Sequence, residues 1–309
     1  MNAETHPDPN PEPPATVAEE LGFLAAIDAP VPYMQRLRDW KLAVGGGTPY
    51  VWAHFGDVPF SALRKPLTAS SIALITTAAH YQPDKGDQGP GSRYNAQAKF
   101  FEVYASPTSN DPDLRVSHVG IDRKHTSMED PRCWFPLDAL RAAASAGRVG
   151  RVAPRFFGVP TVRDPRTTIW IHAGEVLRLC MEDQVDAAIL IPNCTICHQT
   201  LSLVARMLEQ SGIPTVIMAC AKDIVEHVGV PRALFSDFPL GNGAGRPGDV
   251  ESQIETLGRA LDLLESARAP RTTVQSPLRW SDDPRWKSDF SNVENIPADQ
   301  RLHVQAASR

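Results

Sequence analysis

The segment DAAILIPNCTICHQT, residues 186–200, decides how this chain is read. Its first half, Asp186 to Pro192, is a short continuous run of apolar and branched side chains, the pattern of a strand covered on both faces. Thr195 to Ser211 follows with Leu201, Val204, Met207 and Leu208 at helical spacing, and Gly212 stops it. Pro214 to Ala219 (PTVIMA) is the next apolar run. Strand, helix and strand at this spacing predict a βαβ unit, and hence a parallel sheet.

Outward from that unit the same alternation continues. Ser71 to Thr77 (SIALITT) reads as a buried strand, a second apolar run covers Phe100 to Ala105, and a further strand is expected over Arg232 to Phe235. Helices are expected over Val17 to Ile27, Tyr33 to Ala43, Pro136 to Ala144 and Val250 to Leu264. Another covers Thr168 to Asp183, with His172, Val176 and Cys180 on its apolar face. The expected class is α/β with a parallel-sheet, Rossmann-like architecture in two lobes, residues 17–155 and 156–268, the second holding the CxxC sequence. A proline-rich disordered arm, 1–16, precedes them, and an extended tail, 269–309, follows, pinned by Trp280 and Trp286. The loop from Tyr81 to Tyr94 is long enough to expect a functional part for it.

Composition narrows the partners. With 31 basic and 36 acidic residues among 309, the chain has no basic surplus for nucleic acid or an anionic membrane. No apolar stretch reaches the roughly 20 residues of a spanning helix, and the polar start lacks a secretory pattern, so a cytoplasmic protein is expected. A small-molecule substrate, in a homo-oligomer or a subunit of a complex, is the expected setting.

The chemistry concentrates where the strand at 186–192 turns into its helix. Cys194 sits at that helix start, beyond the carboxyl end of a parallel strand, where ligands bind and free N–H groups favour a thiolate. Cys197 lies one turn on, close enough to attack a mixed disulfide. Cys220 ends the next strand and is expected to open toward the same edge. Cys133 and Cys180 read as small buried hydrophobes. His80, at the end of the SIALITT run, is the first choice for acid–base work. The cluster His118, Asp122 and His125 offers metal or substrate contacts, against the commoner fate of a solvated loop. His54, His172 and His227 read as packing or surface residues.

Two literal matches compete. Cys194-x-x-Cys197-His198 fits a c-type haem attachment pattern, which an α/β chain without an export signal does not suit. Zinc held by Cys194, Cys197, Cys220 and either His198 or another histidine is the stronger alternative, though the second CxxC that would mark such a site is absent. No metal ligand is assigned on this reading. Gly243 to Gly248 matches GxGxxG by letter, but Pro247 interrupts it and a surface loop is the better reading; Gly241 to Gly243 are expected beside the thiols.

Seven segments carry a family resemblance: VPYMQRLRDW (31–40), PYVWAHFGDVPFSALRKPL (49–67), SIALITTAA (71–79), DPRCWFPLDALRAAASAGRVG (130–150), DAAILIPNCTICHQT (186–200), SGIPTVIMA (211–219) and FPLGNGAG (238–245). Across residues 30–245 the chain resembles the selenoprotein B subunits of glycine, sarcosine and betaine reductases and the related D-proline reductase subunit. The resemblance implies that Cys194 stands at the selenocysteine place and Cys197 at that of its redox partner. Thr200 stands where some members carry a further cysteine, and with His198, Cys220, His118, Asp122, His125 and Gly241 it is expected around the substrate. The function expected is cleavage of a carbon–nitrogen or carbon–sulfur bond of a small nitrogen-containing metabolite by a Cys194 nucleophile, with an external dithiol as electron donor. The alternatives are a desulfhydrase that releases hydrogen sulfide from a thiocarbonyl ring compound, and a non-catalytic or zinc-binding subunit of a reductase complex.

Overall fold

The computed structural model describes residues 28–45, 48–89, 95–116 and 118–295. The arm expected over 1–16, the helix expected over 17–27 and the last residues of the tail lie outside the described residues.

The βαβ unit forms as its pattern predicts. β7 (Ala187–Ile191) is buried at every position, α4 (Thr195–Gln210) follows it, and β8 (Thr215–Ala219) lies parallel to β7. Gly212 adopts φ +86° at the turn after α4, a left-handed conformation that L side chains rarely take. β9 (Arg232–Phe235) adds parallel to β8, after α5 (Lys222–Val228).

β1 (Ser71–Thr76) pairs in parallel with β7 over five positions, from Ile72 opposite Ala187 to Thr76 opposite Ile191. Strands from both expected lobes therefore share one sheet. On its other side β1 pairs in parallel with β5 (Arg151–Val152) and β6 (Arg155–Gly158), and β3 (Tyr104–Pro107) closes that edge antiparallel to β6. The order is β10-β9-β8-β7-β1-β6-β3, mixed but mostly parallel. Its outermost strand, β10 (Thr272–Gln275), comes from the expected tail, so that segment is in part a member of the sheet. Trp286 is buried and Trp280 packs on Phe238 at 5.5 Å between ring centres, as expected of tail anchors.

Alternating side chains of these strands serve two cores. Ile72, Leu74, Ile189, Ile191 and Met218 pack with α2 (Leu137–Ser145) and α6 (Val250–Ser266) on one face. Ala73, Ile75, Leu190 and Ile217 pack with α3 (Ala173–Glu182) and α4 on the other. Each of the fully buried leucines and isoleucines contributes about 1.5–3 kcal/mol of transfer free energy. This two-sided burial is why the strands read as unbroken apolar runs.

A stretch without regular structure, residues 50–66, lies along α4 because three polar residues of that helix hold its backbone. Gln199 accepts the Ala53 N–H at 2.7 Å, Arg206 donates to the Asp57 carbonyl at 2.8 Å, and Glu209 accepts the Ser61 N–H at 2.5 Å. Glu209 also meets Arg232 at 2.8 Å with both side chains fully buried. Burial pushes the Glu209 carboxyl up to about 7 against the pull of Arg232 and the Ser61 and Thr215 donors.

Candidate functional site

Strand order reverses at β1. The chain passes from β1 to β6 on one side and then back to β7 on the other, so the crevice beyond the ends of β1 and β7 is a topological switch point, the usual ligand site of such sheets. Asn193 closes that end by donating its N–H to Thr77 Oγ1 at 3.3 Å. Cys194 is the next residue, extended at φ −133° and ψ 177°, and it caps α4: its sulfur accepts the Cys197 N–H at 3.2 Å. Cys194 and Cys197 are joined as a disulfide with their Cα atoms 4.9 Å apart.

His118 completes the group. The ligating atoms of His118, Cys194 and Cys197 lie within 4.8 Å of one another. His118 Nε2 is 2.9 Å from the Thr77 carbonyl, which only accepts, so Nε2 carries the hydrogen and Nδ1 turns a lone pair to Cys197 Sγ at 3.4 Å. Burial pushes the imidazole down to about 4, with Arg123 and Lys99 adding repulsion, so it is neutral near pH 7. Thr161 Oγ1 also meets Cys197 Sγ at 3.4 Å. The loop after His118 touches the helix start closely: a Cβ on Gly120 would fall 2.8 Å from Thr195 Oγ1.

Above the disulfide opens a cavity of about 470 Å³, lined by Cys194, His118 and the aromatic rings of Trp40, Tyr50, Trp52 and Phe100. Cys194 lines it and Cys197 does not. Lys41, Lys99 and Arg163 also reach it, and among the described residues no carboxylate does. Tyr50 and Trp52, packed edge to face at 4.6 Å, are carried there by the coil that Gln199 anchors.

The other expected residues fall elsewhere. His198 is fully buried and structural: its Nε2 accepts the N–H groups of Cys220 and Ala221 at 3.0 and 3.1 Å, and its Nδ1–H donates to the Cys194 carbonyl at 2.7 Å. Burial pushes this imidazole down to about 4. Cys220 does not join the pair; it packs with Tyr33, Ile224 and Phe238, and burial pushes its thiol up to about 12. Gly241, at φ +110°, packs against Met128 and Ile121 and lies beside Cys220 rather than beside the disulfide. Thr200 is buried in α4. His125 bridges Asp122 at 2.9 Å and Asp289 at 3.1 Å, so these residues tie a loop to the C-terminal segment and leave the cavity to His118.

His80 is not among the cavity residues. The chain leaves β1 into a two-stranded antiparallel ribbon, β2 (Ala79–His80) with β4 (Leu114–Arg115), in which neighbours face opposite ways. Ala79 faces the cavity, while the His80 ring meets Ser106 Oγ at 2.8 Å and packs at a tilt against Tyr104. Sequence reasoning missed Thr161, Arg163, Lys99, Tyr50, Trp52 and Phe100 as cavity residues, all in irregular segments, and it missed Trp40, which lies on the helix expected over Tyr33–Ala43 (α1). The adjacent signal was the loop singled out at Tyr81 to Tyr94, since Asn95, Ala98, Lys99 and Phe100 follow it directly into the lining.

Against known proteins, the chain is 32% identical over 224 residues to D-proline reductase subunit gamma of Acetoanaerobium sticklandii, a match covering 72% of this chain and 89% of the relative. It is 24% identical over 235 residues to sarcosine reductase complex component B subunit beta of Peptoclostridium acidaminophilum, and 25% identical to glycine reductase complex component B subunit gamma of the same organism. Each of these matches covers 74% of this chain but only about half of the component B subunit, 53% and 52%. No protein-family model and no solved structure matches the chain. No helix among the described residues is long and apolar enough to cross a membrane.

Proposed function

Since the chain belongs to the family of D-proline reductase subunit gamma and the component B subunits of sarcosine, betaine and glycine reductases, we propose that it is a thiol-dependent reductase that cleaves a carbon–nitrogen bond of a small carboxylate-bearing metabolite. The observation that carries this reading is the Cys194–Cys197 pair at disulfide distance on the floor of a cavity, with only Cys194 turned into it. Lys41, Lys99 and Arg163, unopposed by any lining carboxylate among the described residues, supply the counter-charge for an anionic group.

In this mechanism both cysteines begin as thiols. The helix N-terminus stabilises the Cys194 thiolate, which attacks the carbon: a C–S bond forms, the C–N bond breaks, and the leaving nitrogen takes the proton that Cys194 gave up. The Cys197 thiol gives its proton to His118 Nδ1 and attacks the Cys194 sulfur. The S–S bond forms, the C–S bond breaks, and the carbon keeps the electron pair and takes the proton from the His118 imidazolium. In sum, two thiols and a C–N bond become a disulfide, a C–H and an N–H. An external dithiol, or a partner subunit that carries one, returns the pair to the reduced state.

The test is incubation with cyclic amino acids, betaines and thio-substituted ring compounds, with and without dithiol, while amine and sulfide are followed. Amine release that consumes one dithiol per turnover supports the reductase. Sulfide released with only catalytic dithiol would replace it with the desulfhydrase reading, and inactivity toward every class with and without the related complexes' other subunits would favour a non-catalytic role.

A further inference from the structure

The disulfide occupies two of three donors that face one another, and the third, His118, is already arranged as a metal ligand is. Its Nε2–H is held by the Thr77 carbonyl at 2.9 Å, the outer hydrogen bond that ligating histidines ordinarily make, and this leaves Nδ1 as the free donor. That Nδ1 points at Cys197 Sγ from 3.4 Å, and all three donor atoms fall within 4.8 Å of one another. Adjacent ligands around a tetrahedral zinc with bonds of about 2.0–2.3 Å are separated by comparable distances. The ligands come from separate elements, the loop after β4 and the first turn of α4, both tied to the switch point.

We propose that reduction of the Cys194–Cys197 disulfide opens a three-ligand site, His118 Nδ1 with the two thiolates, for a thiophilic divalent cation of the zinc type, its fourth position facing the cavity. The ligand set differs from the one the cysteine spacing alone offers, because Cys220 and His198 are committed to a separate buried cluster and to backbone hydrogen bonds. Binding needs the reductant that opens the disulfide. Each thiol still protonated then loses its proton as its sulfur bonds to the metal, so the two thiolates neutralise the dication in place beside Lys99 and Arg123. Metal held there withholds both sulfurs from substrate and keeps them from reoxidising, which makes the site redox-gated and the two uses of the cysteines exclusive.

The experiment compares one preparation in two states. The full chain is reduced with a phosphine, desalted without oxygen and titrated with cadmium or zinc chloride, beside the same protein left as the disulfide. Thiolate-to-cadmium absorption and protons released into weak buffer are read. The reduced protein should take up one metal per chain and release protons with it, two per metal where both thiols are protonated and one where Cys194 is already ionised, and the disulfide form should do neither. Cys194→Ser and Cys197→Ser should lose the absorption, His118→Ala should weaken binding at least about tenfold, and Cys220→Ser should leave the stoichiometry unchanged. Equal uptake by the oxidised and reduced protein, a full signal in Cys197→Ser, or unchanged affinity in a folded His118→Ala would each overturn the proposal. The first comparison uses only wild-type protein, so it stands even where a variant does not fold.

Discussion

His198 donates its Nδ1 hydrogen to the carbonyl of Cys194, four residues earlier, at 2.7 Å, while its Nε2 accepts the backbone N–H groups of Cys220 and Ala221. One neutral imidazole thus locks the start of α4 to the end of β8 and fixes where the Cys194 backbone lies. His198→Ala removes three buried hydrogen bonds and leaves a void. We expect roughly 2–5 kcal/mol of lost stability in urea unfolding. A loss below about 0.5 kcal/mol, within the ordinary range of surface substitutions, would show that the bridge is dispensable.

The reduced protein should alkylate at Cys194 before its other thiols near neutral pH. Cys133, Cys180 and Cys220 are buried, and burial raises all three thiols, Cys180 and Cys220 to about 12. Cys194 is buried as well, but it lines the cavity and its sulfur accepts the Cys197 N–H. Mass spectrometry of a labelling time course reads the order, and equal rates at Cys133 and Cys194 would remove the case for a nucleophile.

Glu209 and Arg232 should be worth more to the site than their distance from it implies. Glu209→Ala strands the buried Arg232 and frees the Ser61 and Thr215 donors, at a cost of about 3–5 kcal/mol. The coil at 50–66 should loosen with it. Fluorescence of Trp52, read against a Trp52→Phe control, should shift in Glu209→Ala at urea concentrations where the protein is still folded; an unchanged spectrum would separate the pair from the cavity.

Asp223 carries a pH dependence of stability. Burial pushes its carboxyl up to about 6 although it accepts the Met34 N–H at 2.8 Å. An acid whose folded value lies above its unfolded one of about 3.9 is favoured protonated in the fold. Its contribution is therefore full below pH 4 and falls as pH rises to about 6, by on the order of 3 kcal/mol. Asp223→Asn should flatten that part of the stability profile; identical pH slopes in both proteins would count against it.

Elements that bury both faces were legible from residue order alone, since a fully covered strand needs an unbroken apolar run and a surface helix needs one apolar stripe. Ser71–Thr76, Ala187–Ile191 and Thr215–Ala219 have that form, and the place of Cys194 at a helix start follows from the same pattern. β10 did not announce itself, because Thr272–Gln275 is a partly exposed edge without an apolar run. What stands beside the cysteines was beyond local pattern. His118 reaches Cys197 across 79 positions only because β1 pairs with β7, which brings Thr77, the residue that holds its ring, to the end of the strand before Cys194. His80, three residues past the end of the apolar run Ser71–Thr77, is turned away by the alternation of a short ribbon. Residue order determined the central strands and the place of Cys194 and Cys197 at the sheet's edge. Long-range pairing decided which histidine, which aromatic rings and which cations meet them, because those contacts are set by strand order and side-chain direction rather than by spacing along the chain.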